Sequence, residues 1–93
     1  MDREKLDKIH KRVAELRKKG GIGYSELESL ARALGRVRSK RGKHLTWINK
    51  AFPDLPPLSI PHHGSKDLNK YTANHILDKL EMDIEKLEEF IGE

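Results

Sequence analysis

The chain has 93 residues, no cysteine, 37% charged residues and a formal net charge of +4 at neutral pH. That length implies one domain, 1–93, with a modest core, and the absence of cysteine removes both a disulfide framework and a thiolate metal site. No apolar run approaches the roughly 18 residues of a membrane span, and Met1-Asp2-Arg3-Glu4-Lys5 lacks the apolar stretch of a signal peptide, so a cytoplasmic protein without a membrane role is expected.

Taken in chain order, Leu6, Ile9, Val13 and Leu16 are spaced 3, 4 and 3 apart and predict an amphipathic helix over 2–19, capped by Asp2 and ended by the glycine linker 20–23. Ser25-Glu26-Leu27-Glu28 has the capping-box pattern, so a short helix follows, burying Leu27, Leu30, Ala31 and Leu34 and leaving through a left-handed Gly35. From Arg36 the period changes to two. Residues 36–39 and 44–48 read as a hairpin around Lys40-Arg41-Gly42-Lys43, and Trp47 shares a face with Leu45 as a core residue. The prolines of 53–57 mark a loop, Leu58-Ser59-Ile60 is a third strand stopped by Pro61, and a long helix starts between Asn69 and Thr72 and reaches Phe90 or Ile91. Its stripe, Leu77, Leu80, Ile84, Leu87 and Ile91, matches that of the first helix; the two could pack together within the monomer or form a dimer contact. The expected fold class is α+β: a three-stranded antiparallel sheet with helices on one face, in the order α-α-β-β-β-α.

Charge is unevenly distributed along these elements. Residues 1–50 hold 15 Lys/Arg and 6 Asp/Glu, residues 51–93 hold 4 and 9, and no acid stands between Ser29 and Pro53. The first half therefore suits a polyanion and the second a solvated or partner-facing surface. At the centre of the basic stretch is Arg36-Val37-Arg38-Ser39-Lys40-Arg41-Gly42-Lys43-His44. Its cations can hold phosphates and its imidazole can exchange a proton near neutral pH, the two requirements of metal-free RNA cleavage. His44 is the candidate acid/base, and Arg36, Arg38, Lys40, Arg41 and Lys43 are the candidate RNA contacts. His62 or His63 is a candidate second proton carrier, since the third strand can lie beside the second. As neighbours on a strand these two histidines point to opposite sides, which argues against a shared zinc site, and no metal or other cofactor is expected. His10 and His75 fall on helices and read as surface residues.

The stretch from Ser25 to Phe90 resembles the HicA family of mRNA-cleaving toxins from toxin-antitoxin pairs, which implies a family-like core over 25–91 with an extended final helix. The residues that carry the likeness are Ala33-Leu34-Gly35, the basic strand, Gly42-Lys43-His44, Leu58-Ser59-Ile60-Pro61-His62-His63, and Lys70-Tyr71-Thr72 before Ile76-Leu77. The resemblance implies a fold like the double-stranded RNA-binding domain, a catalytic histidine at position 44, mRNA as substrate, and a cognate HicB-like antitoxin that covers the site. Lys43 stands where the family usually has Ser or Thr, and Tyr71 where a glycine commonly precedes the threonine. The helix over 2–19 has no counterpart in the minimal family. The expected function is thus a metal-independent endoribonuclease toxin. The alternatives are a non-catalytic RNA-binding module of the same fold, or a protein-protein adaptor using the heptad-like helices.

Overall fold

In the computed structural model, which describes residues 2–19, 21–41, 44–61 and 67–92 and only the backbone of 41, 44 and 45, Asp2 caps helix α1 (Arg3–Lys18). Its carboxylate accepts the Lys5 N–H at 2.8 Å, which satisfies one of the donors a helix start leaves unpaired. Leu6, Val13 and Leu16 are buried and Ile9 is half-buried, as their spacing predicts.

Helix α2 (Tyr24–Ala33) is capped by Gly23, two residues before the expected cap Ser25. Glu26 accepts the Gly23 N–H at 3.5 Å, so the carboxylate half of a capping box sits two residues earlier than the Ser25–Glu28 pattern suggests. The cause is Ile22. It is buried in the core and paired with Leu68 in a single antiparallel bridge, Leu68 N–H donating to the Ile22 carbonyl at 2.8 Å, which decides where the chain can turn into the helix. The supposed glycine linker is thus partly a pairing segment.

Glu26 also clasps the end of α1. Lys19 Nζ approaches its two carboxylate oxygens at 3.0 and 3.1 Å, and Arg12 Nη2 lies 3.4 Å away. Burial opposes ionisation of Glu26, but the hydrogen bonds from Lys19 and Gly23 and the charges of Lys19 and Arg12 outweigh it and hold the carboxyl below its ordinary range. A depressed acid stabilises the fold above its unfolded pKa and loses that contribution as pH falls through the folded value. Glu26→Gln should therefore lower stability at pH 7 by about 1 kcal/mol. The deficit should vanish in acid, and thermal unfolding of both proteins from pH 7 to pH 2 tests this; a pH-independent deficit would contradict it.

Gly35 leaves α2 at φ +93°, a left-handed conformation that side-chain-bearing residues avoid. There Asn49 Nδ2 donates to the Leu34 carbonyl at 3.2 Å, tying the end of α2 to the sheet. Gly35→Ala should cost about 1–2 kcal/mol, or several degrees in Tm. An unchanged Tm would show that the turn tolerates a side chain.

Strands β1 (Arg36–Arg41) and β2 (His44–Asn49) pair antiparallel, with Arg36 opposite Asn49, Arg38 opposite Trp47 and Arg41 opposite His44. Three strands are expected; among the described residues the sheet has two, with a single bridge to Leu58 beside them. Of residues 58–60 only Leu58 pairs, exchanging both backbone hydrogen bonds with Trp47 at 2.7 and 2.9 Å. Pro56 and Pro57 before it and Pro61 after it supply no N–H to a ladder, so the pairing cannot lengthen either way.

Helix α3 (Lys70–Gly92) buries Ala73, Ile76, Leu77, Leu80, Asp83, Ile84 and Leu87, a wider face than the narrow stripe read from the sequence. One side of that face meets α1. Arg17 Nη2 reaches Asp78 at 2.6 Å and Glu81 at 3.0 Å, while His10 lies 4.0 Å from Glu88, so the two helices run antiparallel. The heptad-like stripes thus meet within the monomer and contribute to one core cluster with Leu27, Leu30, Trp47, Leu58 and Leu68. The stripes are therefore occupied within the monomer. Lys86 on α3 pairs with Asp54 at 2.6 Å, and Phe52 meets Phe90 edge-on, which fastens the proline loop to the same helix. Among the described residues no helix is long and apolar enough to cross a membrane.

Candidate nucleic-acid interface

Strand alternation splits the basic run of β1 into two sets. Arg36, Arg38 and Lys40 occupy the register positions opposite Asn49, Trp47 and Leu45, the set whose Arg36, Trp47 and Asn49 are buried beneath the helices. Val37, Ser39 and Arg41 occupy positions opposite Ile48, Thr46 and His44; Val37 is 42% exposed, which marks the open side of the hairpin. Positions 41 and 44 are therefore partners across the closing end of the hairpin. Lys43, His62 and His63 lie outside the described residues.

Arg36 is a correction to the sequence reading. It was expected to hold a phosphate, but it is 3% exposed and its guanidinium is consumed by the protein. Nε and Nη2 donate to the two oxygens of Asp83 at 2.6 and 2.8 Å, and Nη1 donates to the carbonyls of Trp47 at 2.7 Å and Pro56 at 3.2 Å. One side chain thereby joins β1, β2, the proline loop and α3. The bidentate fork is the geometry in which a buried ion pair is best compensated. The signal for it was present: Asp83 falls among Leu80, Ile84 and Leu87 on the buried face of α3, and a buried carboxylate needs a cation.

Arg38 and Lys40 are exposed, and neither forms an ion pair with a carboxylate among the described residues. This contrasts with the other cations that meet acids: Arg12, Arg17, Lys19, Arg32 and Lys86 are all engaged. Of the cations in the acid-free stretch from Ser29 to Pro53, Arg32 and Arg36 find carboxylates on other elements or turns, and Arg38 and Lys40 remain without one among the described residues. Trp47 is wholly buried and serves as core, with the guanidinium carbons of Arg32 and Arg38 at 5.1 and 5.9 Å from the centroid of its ring. Its indole N–H finds no acceptor among the described residues. Arg32 was not singled out from the sequence as a site residue. Its position on the buried side of the hairpin depends on how α2 packs, which residue spacing alone does not reveal.

His10 and His75 are exposed on α1 and α3, as expected for surface histidines. Among the described residues no three His, Asp or Glu side chains converge in a way that could hold a metal ion.

A family model described as the HicA toxin of bacterial toxin-antitoxin matches residues 24–82. Comparison with curated proteins and with solved structures returns no match. The matched span opens at the first residue of α2, includes both strands and the Leu58 bridge, and extends into α3. Helix α1 precedes it as an addition, docked on α3. The match covers more than half of the chain, and on that ground the chain belongs to the HicA toxin family.

Proposed function

We propose that the chain is a toxin acting as a metal-independent endoribonuclease on mRNA, with His44 as general acid/base, in the cytoplasm and under the control of a cognate HicB-like antitoxin. The observation that carries this reading is membership of the HicA toxin family over a span that contains the basic hairpin, on which Arg38 and Lys40 are exposed and meet no carboxylate among the described residues. RNA contains its own nucleophile, so a metal is not required. His44 takes the proton from a 2′-hydroxyl, the 2′-oxygen attacks the adjacent phosphorus, and the bond to the 5′-oxygen breaks as that oxygen takes a proton. The products are a 2′,3′-cyclic phosphate and a 5′-hydroxyl. His62 or His63 is the proposed second proton carrier. Arg41 and Lys43, which flank His44 in the chain, offset the charge that builds up on the phosphorane oxygens, and Arg38 and Lys40 hold neighbouring phosphates of the backbone. Proton transfer contributes typically 10²–10⁴-fold, and charge stabilisation a factor of similar size.

The nucleophile itself can be tested. An RNA carrying a single 2′-deoxy nucleotide at the cleaved position should remain intact at that site while neighbouring positions are cut, and the products of the unmodified RNA should end in 2′,3′-cyclic phosphates. Cleavage at the 2′-deoxy position would indicate an external nucleophile and contradict the mechanism.

A further inference from the structure

Arg32, on the last turn of α2, and Arg38, in the middle of β1, converge on one indole: their guanidinium carbons lie 5.1 and 5.9 Å from the centroid of Trp47. Two like charges gathered at one place need compensation. Part comes from the negative face of the ring, and part from Glu28, which accepts Arg32 Nε at 3.3 Å. Tyr24 belongs to the same group. Burial raises its phenol pKa first, a hydrogen bond to Glu28 raises it further, and the charges of Arg38 and Arg32 pull it the other way, so both guanidiniums act on this hydroxyl. Of the two cations only Arg32 meets a carboxylate among the described residues. Stacking on a ring uses no N–H donor, and Arg38 makes no guanidinium hydrogen bond among the described residues, so its donors remain for an outside acceptor. Planar guanidiniums seated on an aromatic surface lose little freedom when they bind.

Lys40 is exposed at the next position of the same alternating set, about 7 Å along the strand from Arg38. Neighbouring phosphates of an RNA strand are separated by a similar distance. We infer that Arg32 and Arg38 form a phosphate subsite on the seam between α2 and β1, with Tyr24 at its margin. The RNA backbone enters there, bridges the two guanidiniums, and continues past Lys40 toward the closing end of the hairpin. This rests on the RNA-cleaving reading above and adds a binding site on the helix side of the hairpin, the side opposite to the register set of His44.

The experiment is the salt dependence of binding of a 2′-O-methyl single-stranded oligonucleotide, which cannot be cleaved by the proposed mechanism, to the full chain and its variants. For single strands the slope of log K against log salt changes by about 0.7 for each phosphate contact. Arg32→Gln and Arg38→Gln should each bind several-fold more weakly at low salt and lose about that much slope. Arg38→Lys should keep the slope, and Lys11→Gln, which removes an exposed cation of α1, should behave as wild type. Arg32→Met and Arg38→Met keep an unbranched stem over the indole and give the same reading where a Gln variant fails to fold. Wild-type slopes in the Arg32 and Arg38 charge-removing variants would overturn the subsite while leaving the ribonuclease reading intact. Failure of the wild-type chain to bind the oligonucleotide would overturn both.

Discussion

Asp83→Ala should lower the unfolding free energy by about 3–5 kcal/mol, because it leaves the Arg36 guanidinium buried without a counter-charge. At roughly 4–8 °C per kcal/mol for a domain of this size, the loss is enough to leave much of the protein unfolded at 37 °C. Both side chains are essentially inaccessible, and water cannot replace the missing carboxylate. Arg36→Ala should be similarly harmful for the mirror-image reason. The double variant Arg36→Met/Asp83→Leu should recover much of the loss, since a well-packed apolar pair often matches a buried ion pair. Recovery will be partial, because the Trp47 and Pro56 carbonyls lose the donor at Nη1. Urea unfolding of the four proteins measures all of this, and a cost below about 1 kcal/mol for Asp83→Ala would contradict the buried pair. The double variant also tests the reassignment of Arg36: with the fold preserved, its RNA affinity should stay close to wild type, whereas a phosphate contact at position 36 would weaken binding and reduce its salt dependence.

Local rules succeeded where a residue answers only to its own helix or turn. The 3-and-4 spacing of Leu6, Ile9, Val13 and Leu16 and of Leu77, Leu80, Ile84 and Leu87 located α1 and α3, and Gly35 marked the exit from α2. Where an element answers to a distant partner, the same rules missed. Arg36 reads like its neighbours Arg38 and Lys40, and only Asp83, 47 residues away, separates it from them. The start of α2 is displaced because Ile22 pairs with Leu68, and the third strand shrinks to Leu58 because the flanking prolines deny it a ladder. For the site, the acid-free run and His44 are visible in the sequence, but the division of its cations between two sides follows from the strand register. The convergence of Arg32 with Arg38 follows from helix packing, which no local pattern encodes.

His44→Ala should reduce RNA cleavage by at least 10²–10⁴-fold, the usual contribution of a positioned acid/base group, and further if the imidazole serves both proton transfers. The substitution removes one exchangeable proton site and no formal charge from the neutral form, so RNA affinity at low salt should change little. Position 44 lies at the first residue of β2, where alanine costs little strand propensity, so the Tm should stay within a few degrees of wild type. This separation of activity from binding and folding distinguishes a catalytic group from a structural one. The most direct test of the account is cleavage of a long unstructured RNA by wild type and His44→Ala, in EDTA and at low salt, with a gel shift run in parallel. A His44-centred ribonuclease requires RNA cut by wild type, left intact by the variant and shifted equally by both. Intact RNA in both lanes with a shift, or cleavage in both lanes, would contradict it.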